Sequence, residues 1–152
     1  MRGSIQPIMN APLQFMRLIW AVDHELQSMS KRMQARLGLT VPQRMALLLI
    51  GRKRGILASE LADLLHLHPG TISGVVGRLE TAGLIVRKND AADARRIRLA
   101  LTPSGRAANR RRAGTFEAAV RRVLAASSRS DLAIAGRVLT RLADELRDDA
   151  GG

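Results

Sequence analysis

The chain has 152 residues, of which 46% are hydrophobic, and it carries a formal net charge of +12. This length and this hydrophobic content suffice for one domain with a core, and they argue against global disorder. The absence of cysteine excludes disulfides, thiolate zinc sites and cysteine-based peroxide sensing.

Most of the positive charge comes from arginine, because the only lysines are Lys31, Lys53 and Lys88. The planar fork of arginine suits phosphates and guanine edges, so an acidic polymer, with nucleic acid first, is the favoured partner. Solubility and an anionic membrane surface are the alternatives on charge alone. A secretion signal and a run of about 18 apolar residues are both missing, so we predict a cytoplasmic protein with no membrane partner. We interpret Met1–Ser4 as a leader from expression cloning and leave it out of the fold prediction.

The N-terminal part of the chain reads as two helices. Apolar residues recur at intervals of three and four between positions 12 and 37, which predicts a long amphipathic helix that ends at Gly38. Thr40 and Gln43 match the capping-box pattern, in which a hydroxyl and an amide satisfy the first backbone donors of a helix. This pattern predicts a second helix that extends to about Ile50.

A basic turn at 51–55 leads into a short third helix, predicted over Ser59–Leu65. Pro69 suits the first position of a helix and Gly83 suits the left-handed residue just after one, so we predict a fourth helix from Pro69 to Ala82. Its apolar stripe consists of Ile72, Val75, Val76 and Leu79. The helical period then places small and hydroxyl side chains on the opposite face, namely Gly70, Ser73, Gly74, Gly77 and Thr81.

Two strands with a polar loop between them follow the fourth helix. Ile97–Leu101 alternates apolar side chains with others, the period of a half-buried strand, and 84–88 supplies its partner. The loop at 89–95 is too long for a tight turn. Basic side chains surround this hairpin, namely Arg87, Lys88, Arg95, Arg96 and Arg98.

The C-terminal part reads as helices again. Thr102 followed by Pro103 marks a helix start, and we expect that helix to kink at Gly114. The helix carries four arginines before the kink, namely Arg106, Arg110, Arg111 and Arg112. A last helix is predicted from about Ser130, and the final residues, 151–152, are expected to fray.

This order predicts a mainly α-helical fold in which helices three and four form a helix-turn-helix and the small β-hairpin forms a wing. Each glycine in the fourth helix costs about 0.8–1 kcal/mol relative to alanine, so three of them need a reason. One reading is that they let the helix backbone approach a DNA groove, where Thr71, Ser73 and His68 touch bases or phosphates. The other reading is tight packing against another helix, or simple tolerance. For the hairpin arginines, the alternative is a solvated charged face.

The segment from Leu39 to Ala108 resembles the winged-helix core of the MarR (multiple-antibiotic-resistance regulator) family. The matching motifs are, in order, Leu-Thr-x-x-Gln, Glu-Leu-Ala, Thr-Ile-Ser, Arg-Leu-Glu-x-x-Gly-Leu-Ile-x-Arg, Asp-x-Arg and Leu-Thr-x-x-Gly. The resemblance implies a homodimeric transcriptional regulator that binds a pseudo-palindromic operator, with repression released by a small aromatic or phenolic ligand. It also implies an N-terminal dimerisation helix at 11–38, a DNA-binding core at 39–102 and C-terminal dimerisation helices at 103–150.

Carried onto this sequence, the resemblance implies that Pro69–Thr81 is the recognition helix and that Asp93 holds Arg95 ready for the minor groove. The residues expected to contact DNA are His68, Pro69, Gly70, Thr71, Ser73, Gly74, Gly77, Arg78, Arg87, Lys88, Asp93, Arg95 and Arg96. Ala94 departs from the common Asp-Arg-Arg wing motif, and Gly74 and Gly77 replace larger polar residues. We therefore expect shape and phosphate contacts to dominate the affinity for DNA and to make it strongly salt-dependent.

The resemblance also places a ligand between the dimerisation helices and the DNA-binding lobe. Trp20 would stack on an aromatic effector there, beside Asp23 and His24. For a lone aromatic residue on an apolar stripe, a position in the core or at the dimer interface is the alternative.

No cofactor, metal site or enzymatic activity is predicted. His66 and His68 offer two neighbouring ligands, whereas a zinc site needs three or four that converge. The sequence contains no nucleophile elbow and no glycine-rich phosphate loop after a strand. The remaining rival is a winged helix used as a protein-interaction adaptor, since a fold does not fix a function.

Overall fold

The computed structural model describes residues 10–149, which form helices and one three-stranded sheet. The elements are α1 (Ala11–Leu37), α2 (Val41–Arg52), β1 (Ile56–Leu57), α3 (Ala58–Leu65), α4 (Pro69–Thr81), β2 (Ile85–Asn89), β3 (Ile97–Leu101), α5 (Pro103–Arg110), α6 (Phe116–Ala125) and α7 (Arg129–Asp149). The chain divides into two compact units, one up to Arg111 and one from Arg112 onward. The predicted leader and the final two glycines lie outside the described residues. None of the helices in the described part is long and apolar enough to cross a lipid bilayer.

The ends of the helices follow the capping signals in the sequence. At α2, the Gln43 N–H donates to Thr40 Oγ1 at 3.4 Å and the Thr40 N–H donates to Gln43 Oε1 at 3.0 Å, which confirms the capping box. Gly38 and Gly83 have φ angles of 70° and 69°, the left-handed conformation that glycine adopts at low cost after a helix. The predicted positions of α1, α2 and α4 are therefore confirmed to within one or two residues.

Helix α2 lies at the centre of the first unit and packs against α1, α3, α4, α5 and β3. Its apolar residues Ala46, Leu47 and Ile50 are almost fully buried. Residues from the surrounding elements complete the core, namely Leu39, Ile56, Leu61, Ala62, Ile72, Val76, Leu79, Ile85 and Leu99. Because α4 contributes one apolar stripe to this core, its opposite side is left free for other contacts.

The sheet has the strand order β1-β3-β2, and both pairings are antiparallel. Ile85 pairs with Leu101 and Asn89 pairs with Ile97, so β2, β3 and the loop between them form the predicted hairpin, here called the wing. Strand β1 was missed in the sequence, since a two-residue strand is too short to show a period. It pairs Ile56 with Leu99 across a long stretch of sequence.

The predicted kink at Gly114 is wrong, because the helix has already ended before this residue. Helix α5 stops at Arg110, α6 begins at Phe116, and Gly114 between them has a φ of 72°. Arg111 and Arg112 therefore lie outside the helices.

The early end of α5 has a physical cause in α2. Arg44 of α2 is only 1% exposed, and its guanidinium donates to the carbonyl oxygens of Ala108 at 2.7 Å, Asn109 at 3.2 Å and Arg111 at 2.7 Å. The last carbonyls of a helix lack their regular backbone donors, and here the Arg44 side chain, together with the Arg111 N–H that donates to the Ala108 carbonyl at 3.1 Å, satisfies them and closes α5.

The start of α5 depends on a close approach of two backbone segments. The Gly105 N–H donates to Thr102 Oγ1 at 2.9 Å, and that hydroxyl donates to the Gly83 carbonyl at 2.6 Å. A Cβ at Gly105 would overlap the carbonyl oxygen of Leu84. The final glycine of the Leu-Thr-x-x-Gly motif is therefore required by packing rather than by an unusual φ.

We expect Gly105→Ala to lower the free energy of unfolding by about 1–3 kcal/mol, because a backbone carbonyl cannot yield as a side chain does. Urea denaturation at fixed protein concentration measures this change. Gly74→Ala is the matched control, since a Cβ there meets no atom within 4 Å. Equal stability of the Gly105→Ala variant and the parent would contradict the close approach.

Candidate nucleic-acid interface

Helix α4 turns its small residues toward solvent, as its period predicts. Ile72, Val76 and Leu79 are buried in the core. The opposite side, here called the outer face, is exposed and consists of His68, Pro69, Gly70, Thr71, Ser73, Gly74 and Arg78. Gly77 is half-buried at the edge of this face.

The outer-face glycines are not required by packing within the described chain. A Cβ at Gly70 or Gly74 would have no atom within 4 Å, and one at Gly77 would lie 3.7 Å from Arg87 Nη2, an ordinary contact. All three residues have helical backbone conformation, so a positive φ does not demand glycine either. Of the two readings of these glycines, packing against another helix of the same unit is therefore wrong, and an external contact or simple tolerance remains.

Arg87 ties the wing to α4. Its Nε lies 2.9 Å from Glu80 Oε2, and both side chains are partly exposed. Arg87 also lines a groove with Ser73 of the outer face, so the base of the wing and α4 open onto the same side of the unit. The Arg87 guanidinium, which is predicted to contact DNA, is thus already paired in part with the Glu80 carboxylate.

The tip of the wing presents one arginine in a fixed orientation. Arg95 donates from Nε to Asp93 Oδ1 at 3.2 Å and from Nη2 to Asp93 Oδ2 at 3.4 Å, and its backbone N–H donates to the same carboxylate at 3.0 Å. The side-chain hydrogen bond from Arg95 makes the largest contribution to lowering the pKa of Asp93 below its ordinary value, and the backbone hydrogen bond from Arg95 adds to it. The Arg95 side chain is nevertheless 91% exposed. The pairing of Asp93 with Arg95 is therefore present, whereas the contact of Arg95 with DNA stays a prediction. Lys88 and Arg96, which lie on the same hairpin, are exposed as well.

A second carboxylate holds the wing loop together from inside. Asp90 Oδ1 accepts from the N–H groups of Ala92 at 2.7 Å and Asp93 at 3.3 Å, while Oδ2 accepts from the guanidinium of Arg98. Arg98 also donates to the carbonyl of Gly55 at 2.9 Å, before β1. Asp90 was missed in the sequence, although an aspartate followed by small residues is a common signal for a loop that bonds its own backbone. The sequence groups Arg98 with the basic side chains around the hairpin. In the structure Arg98 instead links the wing loop, through Asp90, to the backbone of Gly55, and these contacts are here called the wing brace.

Acid is expected to weaken this brace. The backbone N–H of Ala92, followed by Arg98, lowers the pKa of Asp90 below its ordinary value. A carboxyl group with a lowered folded-state pKa stabilises the fold above its unfolded-state pKa and loses that contribution as the pH falls through the folded-state value. We therefore expect the stability that Asp90 supplies to be complete at neutral pH and to be lost below about pH 4.

Thermal unfolding of the parent and of Asp90→Asn between about pH 3 and pH 7 measures this contribution. The variant should have a lower Tm at neutral pH and a smaller fall in Tm on acidification. Asp63→Asn, at an exposed position of α3, is the control. An unchanged acid profile in Asp90→Asn would show that Asp90 does not brace the wing.

The predicted ligand residues lie on α1. Trp20 is 75% exposed, and Asp23 and His24 are exposed as well, so Trp20 does not belong to the core of this unit. Asp23 Oδ2 accepts from Gln27 Nε2 at 2.9 Å. Their role toward an effector stays a prediction.

The histidines near the helix-turn-helix lie at the ends of its two helices. His66 has a φ of 51° and forms the left-handed end of α3, while His68 immediately precedes α4. Between residues 10 and 149, no three carboxylate or imidazole side chains are placed to hold a metal ion.

An exposed second helix of a helix-turn-helix, tied to a basic antiparallel hairpin, defines the winged helix-turn-helix class of DNA-binding folds. A family model described as MarR family matches residues 37–96 of the chain. An HTH-type transcriptional repressor of Mycobacterium tuberculosis is 31% identical over 116 residues, which cover 76% of this chain and 82% of the relative. The chain therefore belongs to the MarR family, as its motifs predict.

Other relatives agree with this assignment. The organic hydroperoxide resistance transcriptional regulator of Bacillus subtilis is 32% identical over 88 residues, which cover 58% of this chain and 60% of the length of that relative. The crystal structure of AbsC, a MarR family transcriptional regulator from Streptomyces coelicolor, matches with a TM-score of 0.74 and 26% identity over 92% of this chain and 97% of AbsC. MepR of Staphylococcus aureus in complex with DNA shares the fold, with a TM-score of 0.73 and 22% identity over 87% of this chain and 97% of MepR. The relatives from Mycobacterium tuberculosis and Bacillus subtilis and AbsC are named as transcriptional regulators or repressors.

Proposed function

We propose that the protein is a homodimeric transcriptional repressor that binds a pseudo-palindromic DNA operator through α4 and the wing. The observation that carries this proposal is the outer face of α4, where Gly70 and Gly74 are surrounded by open space although each lowers helix stability. Glycine at both positions is explained if the backbone of α4 comes close to the DNA in a groove, because a side chain there would keep the two apart. Thr71 and Ser73 on the same face supply hydroxyl groups for bases or phosphates.

The wing supplies the second contact. Arg95 is exposed at the tip and oriented by Asp93, which lowers the entropy lost when it inserts into a groove. Narrow A·T-rich minor grooves attract arginine side chains. Lys88, Arg96 and Arg78 are exposed cations suited to the flanking phosphates.

Exposed apolar side chains support a homodimer. In α1 these are Leu13, Phe15, Met16, Leu18, Trp20 and Val22, and in α6 and α7 they are Val123, Leu124, Ile134, Val138, Leu139 and Leu146. Many exposed apolar side chains on the same helices are typical of a protein–protein interface. We assign dimerisation to residues 11–38 and 103–150 and DNA binding to residues 39–102.

Release of the operator by a small aromatic or phenolic ligand is the regulatory part of the proposal. The PcaV transcriptional regulator of Streptomyces coelicolor, solved in complex with its natural ligand, shares the fold with a TM-score of 0.68. Here Trp20, Asp23 and His24 are the proposed ligand residues. Quenching of the fluorescence of Trp20, the only tryptophan, by candidate ligands tests this assignment.

Selection of bound duplexes from a random library tests DNA binding itself. A dimer predicts two half-sites about one helical turn apart, and mass measurement in solution checks the dimer independently. If the protein is instead a winged-helix adaptor, selective duplex binding will be absent at moderate salt and will not depend on Arg95 or Ser73.

Substitution of the outer-face glycines is expected to change stability and DNA affinity in opposite directions. Gly74→Ala should raise the free energy of unfolding by about 0.8–1 kcal/mol, since the methyl group fits and helix propensity improves. The same methyl group would hold the backbone away from the groove, so DNA affinity should fall roughly tenfold. Thermal unfolding and fluorescence anisotropy with a labelled duplex measure the two effects.

Gly136→Ala in α7 is the matched control, because a Cβ there also meets no atom within 4 Å but the residue belongs to α7 rather than to α4. It should stabilise the protein and leave DNA affinity unchanged. Unchanged affinity in Gly74→Ala would mean that the glycines of α4 are only tolerated.

A further inference from the structure

One row of residues along α4 has a gap in its middle. Ser73, Gly77 and Glu80 follow one another at intervals of four and three, so they share one side of the helix. Of the outer-face residues, only His68 and Arg78 carry a side chain longer than that of threonine or proline. The row at Gly77 therefore offers no side chain of its own to a base edge.

Arg87 reaches this row from β2. Side chains two residues apart in a strand share a face, and Ile85 of the same strand is buried in the core where β2 packs against α4. Leu99, the residue of β3 that pairs with Arg87, is buried as well. Arg87 therefore lies on the side of the sheet that faces α4, at the point where the core gives way to the exposed surface.

The contacts of Arg87 place its guanidinium over Gly77. Its Nη2 lies 3.7 Å from the position that a Cβ at Gly77 would take. Its Nε lies 2.9 Å from Glu80 Oε2, one turn further along α4, and the side chain lines a groove with Ser73, one turn earlier. The Arg87 side chain is 33% exposed. The guanidinium thus occupies the gap in the row and stays accessible from outside.

We propose that Arg87 reads a guanine of the operator in the major groove and that Glu80 is the residue that positions it, an inference that rests on the proposed function. Arginine recognises guanine by donating two N–H groups to O6 and N7, the commonest base-specific contact in the major groove. The two Nη groups can make this contact while Nε faces Glu80. A side chain of the wing then supplies the base reader that α4 lacks at Gly77.

The Glu80 carboxylate favours a base contact over a phosphate contact. A phosphate contact needs charge but little orientation, and a carboxylate 2.9 Å from Nε partly cancels the attraction of Arg87 for a phosphate. Recognition of a base edge needs a fixed direction, and a guanidinium that is already held loses less entropy when it binds. The pairing also accounts for an exposed carboxylate on the DNA-binding side of a basic protein.

Substitution of single base pairs measures the contact of Arg87. The probes are the labelled duplex that the parent selects from a random library and derivatives in which one G·C pair at a time is replaced by A·T. Fluorescence anisotropy at constant salt should show that the parent loses roughly 5- to 150-fold in affinity at one such position, as expected for a two-hydrogen-bond contact. Arg87→Ala should bind the selected duplex and that derivative about equally. Lys88→Ala, the next residue of β2, is the matched control and should weaken both duplexes alike.

Glu80→Ala separates positioning from simple repulsion of DNA. If Glu80 only repels phosphates, its removal should strengthen binding of every duplex and leave the ratio between the selected duplex and the derivative unchanged. If Glu80 positions Arg87, this ratio should fall about two- to tenfold, the cost of ordering one free side chain. Glu25→Ala, which removes an equal charge from an exposed position of α1, should keep the ratio of the parent. Circular dichroism and the Tm of each variant show whether the fold is kept.

Three results would overturn the inference. Arg87→Ala could discriminate at every G·C pair as the parent does, or it could weaken all duplexes equally and lower the salt slope by about one, which would assign Arg87 to a phosphate. Glu80→Ala could also keep the ratio of the parent, which would remove the positioning role. A parent that selects no duplex contradicts the proposed function and this inference with it, whereas a selective parent with unchanged variants contradicts this inference alone.

Discussion

Raising the salt concentration from about 50 to about 200 mM is expected to weaken operator binding by roughly 10³- to 10⁵-fold, for about 6 to 10 phosphate contacts. The chain carries a net charge of +12, and most residues of the outer face of α4 are small, so few side chains reach the base edges. Cations that bind phosphates release condensed counterions from the DNA, and this release becomes less favourable as the bulk salt concentration rises. Fluorescence anisotropy across a salt series at constant pH measures the slope of log Kd against log salt.

Single substitutions show how much each residue contributes to the slope of log Kd against log salt. Lys88→Gln should reduce the slope by about one, as expected for the loss of one phosphate contact, and weaken all sequences alike. Arg95→Gln should weaken A·T-rich sites more than others, since its proposed contact lies in the minor groove. Arg36→Gln, which removes an equal charge from α1, should change the slope least. A flat salt profile would contradict a binding mode based on phosphate contacts.

Local signals in the sequence predict most of the first unit. The capping box at Thr40 and Gln43, the proline at Pro69 and the left-handed Gly83 each depend on neighbours within a few residues. The alternation over Ile97–Leu101 likewise predicts β3 exactly. These are the features for which helix and strand periods, caps and turns suffice.

Contacts between distant segments could not be predicted in this way. Strand β1 exists only because Ile56 meets Leu99, and the wing brace exists only because Arg98 reaches both Asp90 and Gly55. An arginine in a basic amphipathic helix reads as an exposed side chain, so Arg44 gave no sign of being buried. Its carbonyl partners lie 64 to 67 residues further along the chain.

The same limit applies to the candidate site. The period of α4 predicts which side chains face outward, and that prediction is confirmed. The sequence alone left open whether its glycines pack against a neighbouring helix, since this depends on which atoms would lie within 4 Å of a Cβ at each position in three dimensions. The open space at Gly70 and Gly74 removes that reading and gives the glycine substitutions their opposite expected effects.

Replacing Arg44 by methionine is expected to lower the free energy of unfolding by about 3–5 kcal/mol. Methionine fills a similar volume but donates no hydrogen bond, so the carbonyls of Ala108, Asn109 and Arg111 lose the guanidinium that satisfies them. All three hydrogen bonds are charge-assisted and come from a buried side chain, which is why the loss is large, although the Ala108 carbonyl keeps the N–H of Arg111 as a donor. Urea denaturation at fixed protein concentration, followed by circular dichroism, measures the change.

Two further variants separate the geometry of the guanidinium from its charge. Arg44→Lys keeps the charge but replaces the planar fork with a single ammonium group, which cannot reach three carbonyls in the same arrangement, so an intermediate loss is expected. Arg52→Met removes an exposed arginine from the same helix and should change stability by no more than about 0.5 kcal/mol. If Arg44→Met were as stable as Arg52→Met, the end of α5 would not depend on this side chain. An Arg44→Lys variant as stable as the parent would show that charge at the helix C-terminus suffices, through its interaction with the helix dipole.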